Sequence, residues 1–337
     1  MSAYACDVPV FRYALERWLP DRFEILVFYK GEMPEKVRAW QADGALADAS
    51  ANCVLVPIDL ENMESDREEQ WDALAGAEPP WVLIRNPQRQ GATPIWSGPL
   101  DDPMLASPRD SPLRREVARR LLNGESAVWI LLESGHEAKD NQAATLLEQE
   151  LSRQKNAISL PASITQNYAT SELRIDFSLL RLSRIDPAEQ LFVQMLINSE
   201  PDLLEYGLEP MAFPVYGRGR VLYALVGQGI NAENIEESCF FLTGACSCEV
   251  KELNPGTDLL LAADWDSTIL YSYVDEWEMS LLTAQGRPGA AAAGPSEGFF
   301  QHAWNNFLIR NSLIIIVALL AINGAFWIHW MKRRSSE

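Results

Sequence analysis

Short apolar runs alternate with amphipathic stretches along most of this chain, regularly enough to be read as elements. Val8, Phe11, Leu15 and Trp18 recur at helical spacing, with Asp7 placed to cap a helix and Pro20 to stop it. Phe23 to Tyr29, FEILVFY, is a bounded apolar run rich in aromatic and β-branched residues and reads as a strand. Glu35 to Leu46 then reads as a helix, Cys53 to Leu60 as a second buried strand, and Ser65 to Leu74 as a helix with Glu68, Glu69 and Asp72 facing water. After Pro79-Pro80 come a strand from Trp81 to Arg85, a turn through Asn86 to Gly91 and a strand from Thr93 to Trp96. A helix from Ser111 to Leu122 follows, with Val117, Leu121 and Leu122 on one side. The order is β-α-β-α-β-β-α. Strands joined through helices run parallel and strands joined by a short turn form a hairpin, so the pattern predicts a mixed sheet with helices on both faces.

From Gly124 the pattern starts again. Ala127 to Glu133, AVWILLE, is a strand, and Asn141 to Gln154 is a helix with Ala144, Leu147 and Leu151 on one face. A polar loop runs to Ser171, Leu173 to Leu182 is a strand, and Asp186-Pro187 opens a helix through Leu196. Pro214 precedes a hairpin of Val215 to Tyr216 and Val221 to Val226, and Asn231 caps a helix through Phe241. The spacing of about a hundred residues between copies predicts two tandem domains, 1–124 and 125–282. Leu259 to Asp266 and Thr268 to Leu282 continue apolar, either packing back on the second domain or forming the approach to the membrane. At the tip of the second hairpin, Arg218 and Arg220 have either the role of holding an anion or that of a solvated turn.

This order, with a proline immediately before the first hairpin strand, resembles the thioredoxin fold. The resemblance rests on element order and covers residues 20 to 123, then their repeat. It implies that Pro80 stands where that family has a cis-proline beside its active site, and that Pro214 matches it in the second domain. A redox-active thioredoxin carries Cys-x-x-Cys after its first strand. Here Tyr29 to Pro34 and Glu133 to Lys139 contain no cysteine, so the family's redox chemistry is not expected of either domain.

A different pattern closes the chain. Thr283 to Pro295 is rich in Gly, Ala and Pro and reads, within 283–311, as a tether and juxtamembrane segment. Ser312 to Met331 holds no charged residue and is long enough to cross a bilayer as a helix. Trp304, Trp327 and Trp330 flank it, and 332–337 is a tail opened by Lys332-Arg333-Arg334. Those bases, against Arg310 alone before the span, place the tail in the cytoplasm and the body outside. Ala3-Tyr4-Ala5 before Cys6 has the form of a signal-peptidase site, in keeping with export. The alternative is a tail-anchored protein with a cytoplasmic body.

The formal net charge of the 337 residues is −19, and the tail contributes +2 of it, leaving −21 on the body. Such a body repels phosphates, which excludes nucleic acid as a partner. Of three histidines only His136 lies in the folded part, and no phosphate-cradling loop, nucleophile elbow or zinc-protease motif occurs there. No cofactor is expected.

The one unusual constellation is Cys239, Cys246 and Cys248, with Cys6 a possible partner thiol and Cys53 inside an apolar strand. In an oxidising compartment it reads as a disulfide from Cys239 to Cys246 or Cys248, stapling a helix end to its loop. Other readings are a thiol pair for disulfide exchange and a Cu or Zn site. The sequence therefore predicts a membrane-anchored, redox-inactive binding or scaffold subunit acting with a membrane-protein complex such as a transporter. The alternative is a thiol-disulfide or metal-handling protein built on the cysteine cluster.

Overall fold

In a computed structural model, which describes residues 8–42, 51–86, 94–106, 108–160, 174–246 and 250–266, the chain is mixed α/β with two mixed sheets. Cys6, Cys248 and the expected tether, span and basic tail lie outside these residues. Among the described residues no helix is long and apolar enough to cross a membrane. All of them belong to one compact unit, Met1–Glu276.

Helix α1 (Val10–Arg17) leads to β1 (Phe23–Tyr29), α2 (Glu35–Ala42), β2 (Cys53–Asp59), α3 (Ser65–Asp72), β3 (Trp81–Arg85), β4 (Trp96–Pro99) and α4 (Pro112–Leu122). The first sheet has the order β2-β1-β3-β4, with β1 parallel to β2 and antiparallel to β3. The second half runs β5 (Ala127–Leu132), α5 (Glu137–Ala157), β6 (Phe177–Leu182), α6 (Gln190–Ile197), β7 (Met211–Tyr216), β8 (Arg220–Val221), β9 (Leu225–Val226), α7 (Ala232–Thr243) and β10 (Thr257–Asp258). Its sheet has the order β10-β8-β7-β5-β6, and β9 also pairs with β7. Both halves thus set their first strand parallel to the second and antiparallel to the third, as the pattern predicts.

The period of two along each strand divides the core into layers. Ile25, Val27, Val82 and Ile84 face inward from the first sheet, and Val128, Ile130, Leu132, Phe213 and Val215 face inward from the second. One continuous cluster joins these two faces with Val117 and Leu121 of α4 and Leu191 to Val193 of α6. The opposite face of the first sheet buries Leu26, Phe28, Ile58 and Leu83 under Trp71. The opposite face of the second buries Ala127, Trp129 and Leu131 under α5, α7 and α1. All six residues of β5 are buried, at about 1.5–3 kcal/mol for each large side chain, so an unbroken apolar run becomes the central strand.

Two connections depart from chain order. Helix α1 packs on the second sheet although it precedes the first: Pro9 bridges Ala245, Val10 N–H donates to Gly244, and Cys246 N–H donates to Val8. The segment after β10 crosses in the other direction. β10 pairs with β8 in the second sheet, then Ala262 bridges Ala51 beside β2 in the first. Asn52 fixes this seam by donating to the carbonyls of Asp21 and Leu259 and accepting from Leu261 N–H. Leu259, Leu260 and Leu261 therefore fill the layer between the sheets.

Element bounds differ from the pattern where polar or ring residues stand inside an element. β4 is Trp96–Pro99 rather than 93–96, because a proline is tolerated on an edge strand and Gly98 leaves room for the Trp96 ring, which would lie 2.5 Å from a Cβ there. Helix α5 begins at Glu137, four residues early, with Glu137 and Asp140 favourably placed in its first turn. Strand β7 begins at Met211 and runs through Pro214, which pairs with Trp129. The Pro214 carbonyl accepts from Leu222 N–H, so the missing donor of the proline falls where the neighbouring strand is interrupted between β8 and β9.

Candidate functional site

After β1 the chain turns through Gly31 at φ +76°, a left-handed conformation that glycine adopts without a Cβ penalty. Opposite it the Pro79-Pro80 bond is cis, immediately before β3. The Pro80 carbonyl accepts from Leu100 N–H at 3.1 Å, and Lys36 Nζ donates to the Leu100 carbonyl at 2.8 Å while lying over the Trp40 ring. Around these groups Glu78, Trp81 and Asp101 border a cleft of about 600 Å³. Its lining offers lysine, carboxylates and prolines but no thiol.

In the second half the corresponding loop is closed from below. Asp140, buried in the first turn of α5, accepts from Ser134 N–H at 2.7 Å, Ser134 Oγ at 2.8 Å and Gly135 N–H at 3.0 Å. One carboxylate thereby satisfies three donors of the turn that follows β5. His136, the only histidine among the described residues, is exposed at the head of the helix. The proline that directly precedes β7 is Pro210, not Pro214, and its peptide bond is trans. Pro214 is a strand residue, and by register the counterpart of Pro80 in the second half is Pro210: Pro210 is followed by Met211 opposite Leu132, as Pro80 is followed by Trp81 opposite Phe28.

Beside Pro210 lies a cavity of about 780 Å³ between α5, the 200–210 connection and β9. Ala143, Leu146, Leu203, Val226 and Ile230 give it apolar walls, and Lys139, Glu200, Asp202 and Glu209 give it charge. Lys139 pairs with Glu209 at 2.6 Å, and Glu200 accepts from Ala224 N–H at 2.6 Å. Arg184 ties the neighbouring loop to this wall by donating to the carbonyls of Glu133 and Glu209. Sequence reasoning missed Asp140, Pro210 and the acidic connection. Ser-Gly before a helix whose fourth residue is Asp, and Glu209-Pro210 before an apolar run, are the signals that carried them.

The cysteines take core positions. Cys239 is fully buried on the inner side of α7, and burial pushes its thiol up to about 12. Cys53 is buried in β2, and burial pushes its thiol up to about 11. Both are free thiols, and a protonated thiol in an apolar wall is a poor nucleophile. Cys246 is buried in the same cluster as Cys239, next to Ala245, which bridges Pro9. Among the described residues no three of His, Cys, Asp and Glu converge in a way that could hold a metal ion.

Arg218 and Arg220 are neither solvated nor open to an anion. Arg218 donates to the Leu15 carbonyl and pairs with Asp266, while Arg220 lies over the Trp18 ring and pairs with Asp258 at 2.9 Å. Asp258 is buried and also takes Lys251 and the Asp21 N–H. These arginines lock α1 and the seam to the second sheet.

No family model matches the chain, and no curated protein is significantly similar to it. Among solved structures, the first two thioredoxin domains of Saccharomyces cerevisiae Eps1p are similar at 11% identity, covering 68% of this chain and 94% of that one. The TM-score is 0.18, too low to carry a fold assignment.

Proposed function

We propose that this chain is a non-enzymatic binding subunit made of two thioredoxin-like halves, held at a membrane by residues 312–331 and working with a membrane-protein complex such as a transporter. The body faces the extracytoplasmic side. One observation carries the reading: neither turn at the head of a sheet holds a thiol, and the second is tied shut by Asp140, while the clefts beside Pro80 and Pro210 stay open. A surface that keeps its concavity and has no reactive group is suited to holding a partner. The strand arrangement shared by the halves, β2-β1-β3 and β6-β5-β7, supports the thioredoxin-like assignment. No observation favours the thiol or metal alternative.

Affinity purification of the full chain from gently solubilised membranes should recover a reproducible integral-membrane partner. Repeated recovery of the chain alone removes this reading. Protease added outside intact inner membranes should cut the 283–295 stretch, and protection there would place the body in the cytoplasm.

A further inference from the structure

Four of the eight large apolar side chains exposed among the described residues, Ile185, Leu204, Tyr206 and Leu208, fall on two linked stretches beside the 780 Å³ cavity. Ile185 and Leu208 are 86% and 83% exposed. They lie next to Arg184 and Glu209, which are joined by a hydrogen bond of 3.0 Å, so the two stretches form one rim. Leu203 of the same turn points into the cavity while Leu204 points out, so the apolar surface continues from the rim to the floor. Isolated apolar residues on a surface are ordinary, but a contiguous set bordering a concavity marks a contact site.

The charge of this wall is mainly negative. Asp202 and Glu205 are exposed on the turn and Glu200 and Glu209 stand beside it, against Lys139, which Glu209 already engages, and Arg184, which is tied to the carbonyls of Glu133 and Glu209. β9 pairs only with β7 among the described strands, leaving an edge that borders the cavity.

We propose that this cleft binds an extended segment of a partner protein in which apolar residues alternate with lysine or arginine. The apolar side chains enter between Leu203, Val226 and Ile230, the bases meet the carboxylates of the 200–209 connection, and the β9 edge favours an extended backbone. This assignment deepens the binding-subunit reading and rests on it for the partner's place in the cell.

The test is fluorescence anisotropy of the full chain in detergent with a short labelled peptide alternating leucine and lysine, beside a leucine-glutamate peptide and a glycine-lysine peptide. Saturable binding of the first peptide alone is expected. The paired substitution Leu204→Ser and Leu208→Ser, at exposed positions that leave the fold intact by circular dichroism, should weaken it about tenfold. Carbodiimide coupling should then join peptide lysines to Glu200, Asp202, Glu205 or Glu209. Equal binding of the glycine-lysine peptide, no loss in the double variant, or couplings scattered over the acidic surface overturns the proposal. So does coupling of these carboxylates to Lys332 of the same chain, which would make the chain's own tail the occupant. Peptide binding without recovery of a membrane partner removes the wider reading alone, and the converse removes the cleft alone.

Discussion

On the outer face of the first sheet, Phe28 meets Trp71 at 5.2 Å between ring centroids, within a cluster that holds four buried side chains among the described residues. On the outer face of the second sheet, Trp129 lies beneath three helices, one of them, α1, drawn from the far end of the chain. The halves repeat one strand arrangement but not one burial. Among the described residues the second is covered by helices on both faces, whereas the first has Trp71 of α3 over its outer face and relies on the layer shared between the sheets and on the seam from β10 to Ala262. A repeated topology can therefore divide its stability unequally, with the thinner copy held by the fuller one.

The sharpest way to break this comparison is to cut the seam. Asp258→Ala leaves the buried Arg220 without its carboxylate and Lys251 with Asp21 alone, and urea unfolding should show a loss of about 4 kcal/mol. Amides of β1 to β4 should lose protection from hydrogen exchange before those of β5 to β7. Uniform loss in both halves would overturn the claim that the first depends on the seam. Next in size, Ile130→Ala in the shared layer and Phe28→Ala on the thin face should each cost about 3 kcal/mol. The former should loosen both halves in the exchange experiment and the latter only the first.

The thiols sharpen the comparison at lower cost. At pH 8 iodoacetamide should label native Cys53 and Cys239 slowly, Cys53 first because its half opens more readily, with full labelling of both in urea. Burial raises both thiols in the fold, so their contribution to stability is complete below about pH 8.5, the unfolded value, and declines above it as the unfolded thiols ionise. Faster labelling of Cys239 would reverse the assigned order.

The smallest effect concerns Asp21. Its burial works against ionisation, but hydrogen bonds from Lys251 and Asn86 prevail and hold its carboxyl below the usual range. The depressed value means that its contribution is present above about pH 4 and is lost as pH falls further. Asp21→Asn should flatten the acid limb of the urea stability profile without changing it at neutral pH by more than the loss of that pair.

Much of the local order was legible in the sequence because burial on one face writes itself as a period. β1 and β3 match their apolar runs residue for residue, and α4 and α7 begin at the caps Ser111 and Asn231, whose side chains accept from Arg114 and Asn234 N–H. The seam was harder to read: Leu259 to Leu261 announce burial but not which sheet receives them, since no period encodes a partner. The same holds for α1, whose apolar stripe is visible while its destination beside Cys246 is not. Arg218 and Arg220 read as polar tip residues because a guanidinium's carbonyl and aromatic partners come from distant segments. At the site, the missing thiols were plain in the sequence, whereas Asp140 looked like one more acid in an acidic chain.

The bridge from Pro9 to Ala245 also sets an order of events during synthesis. Helix α1 leaves the ribosome before β1 to α7 and finds its seat only after them, because α7 and the segment 244–246 must emerge first. Through most of translation Phe11, Leu15 and Trp18 belong to a segment without its final neighbours, a natural point of contact for a chaperone. Moving that helix to follow residue 246 would shorten the wait, and the nascent body would close without holding its beginning open.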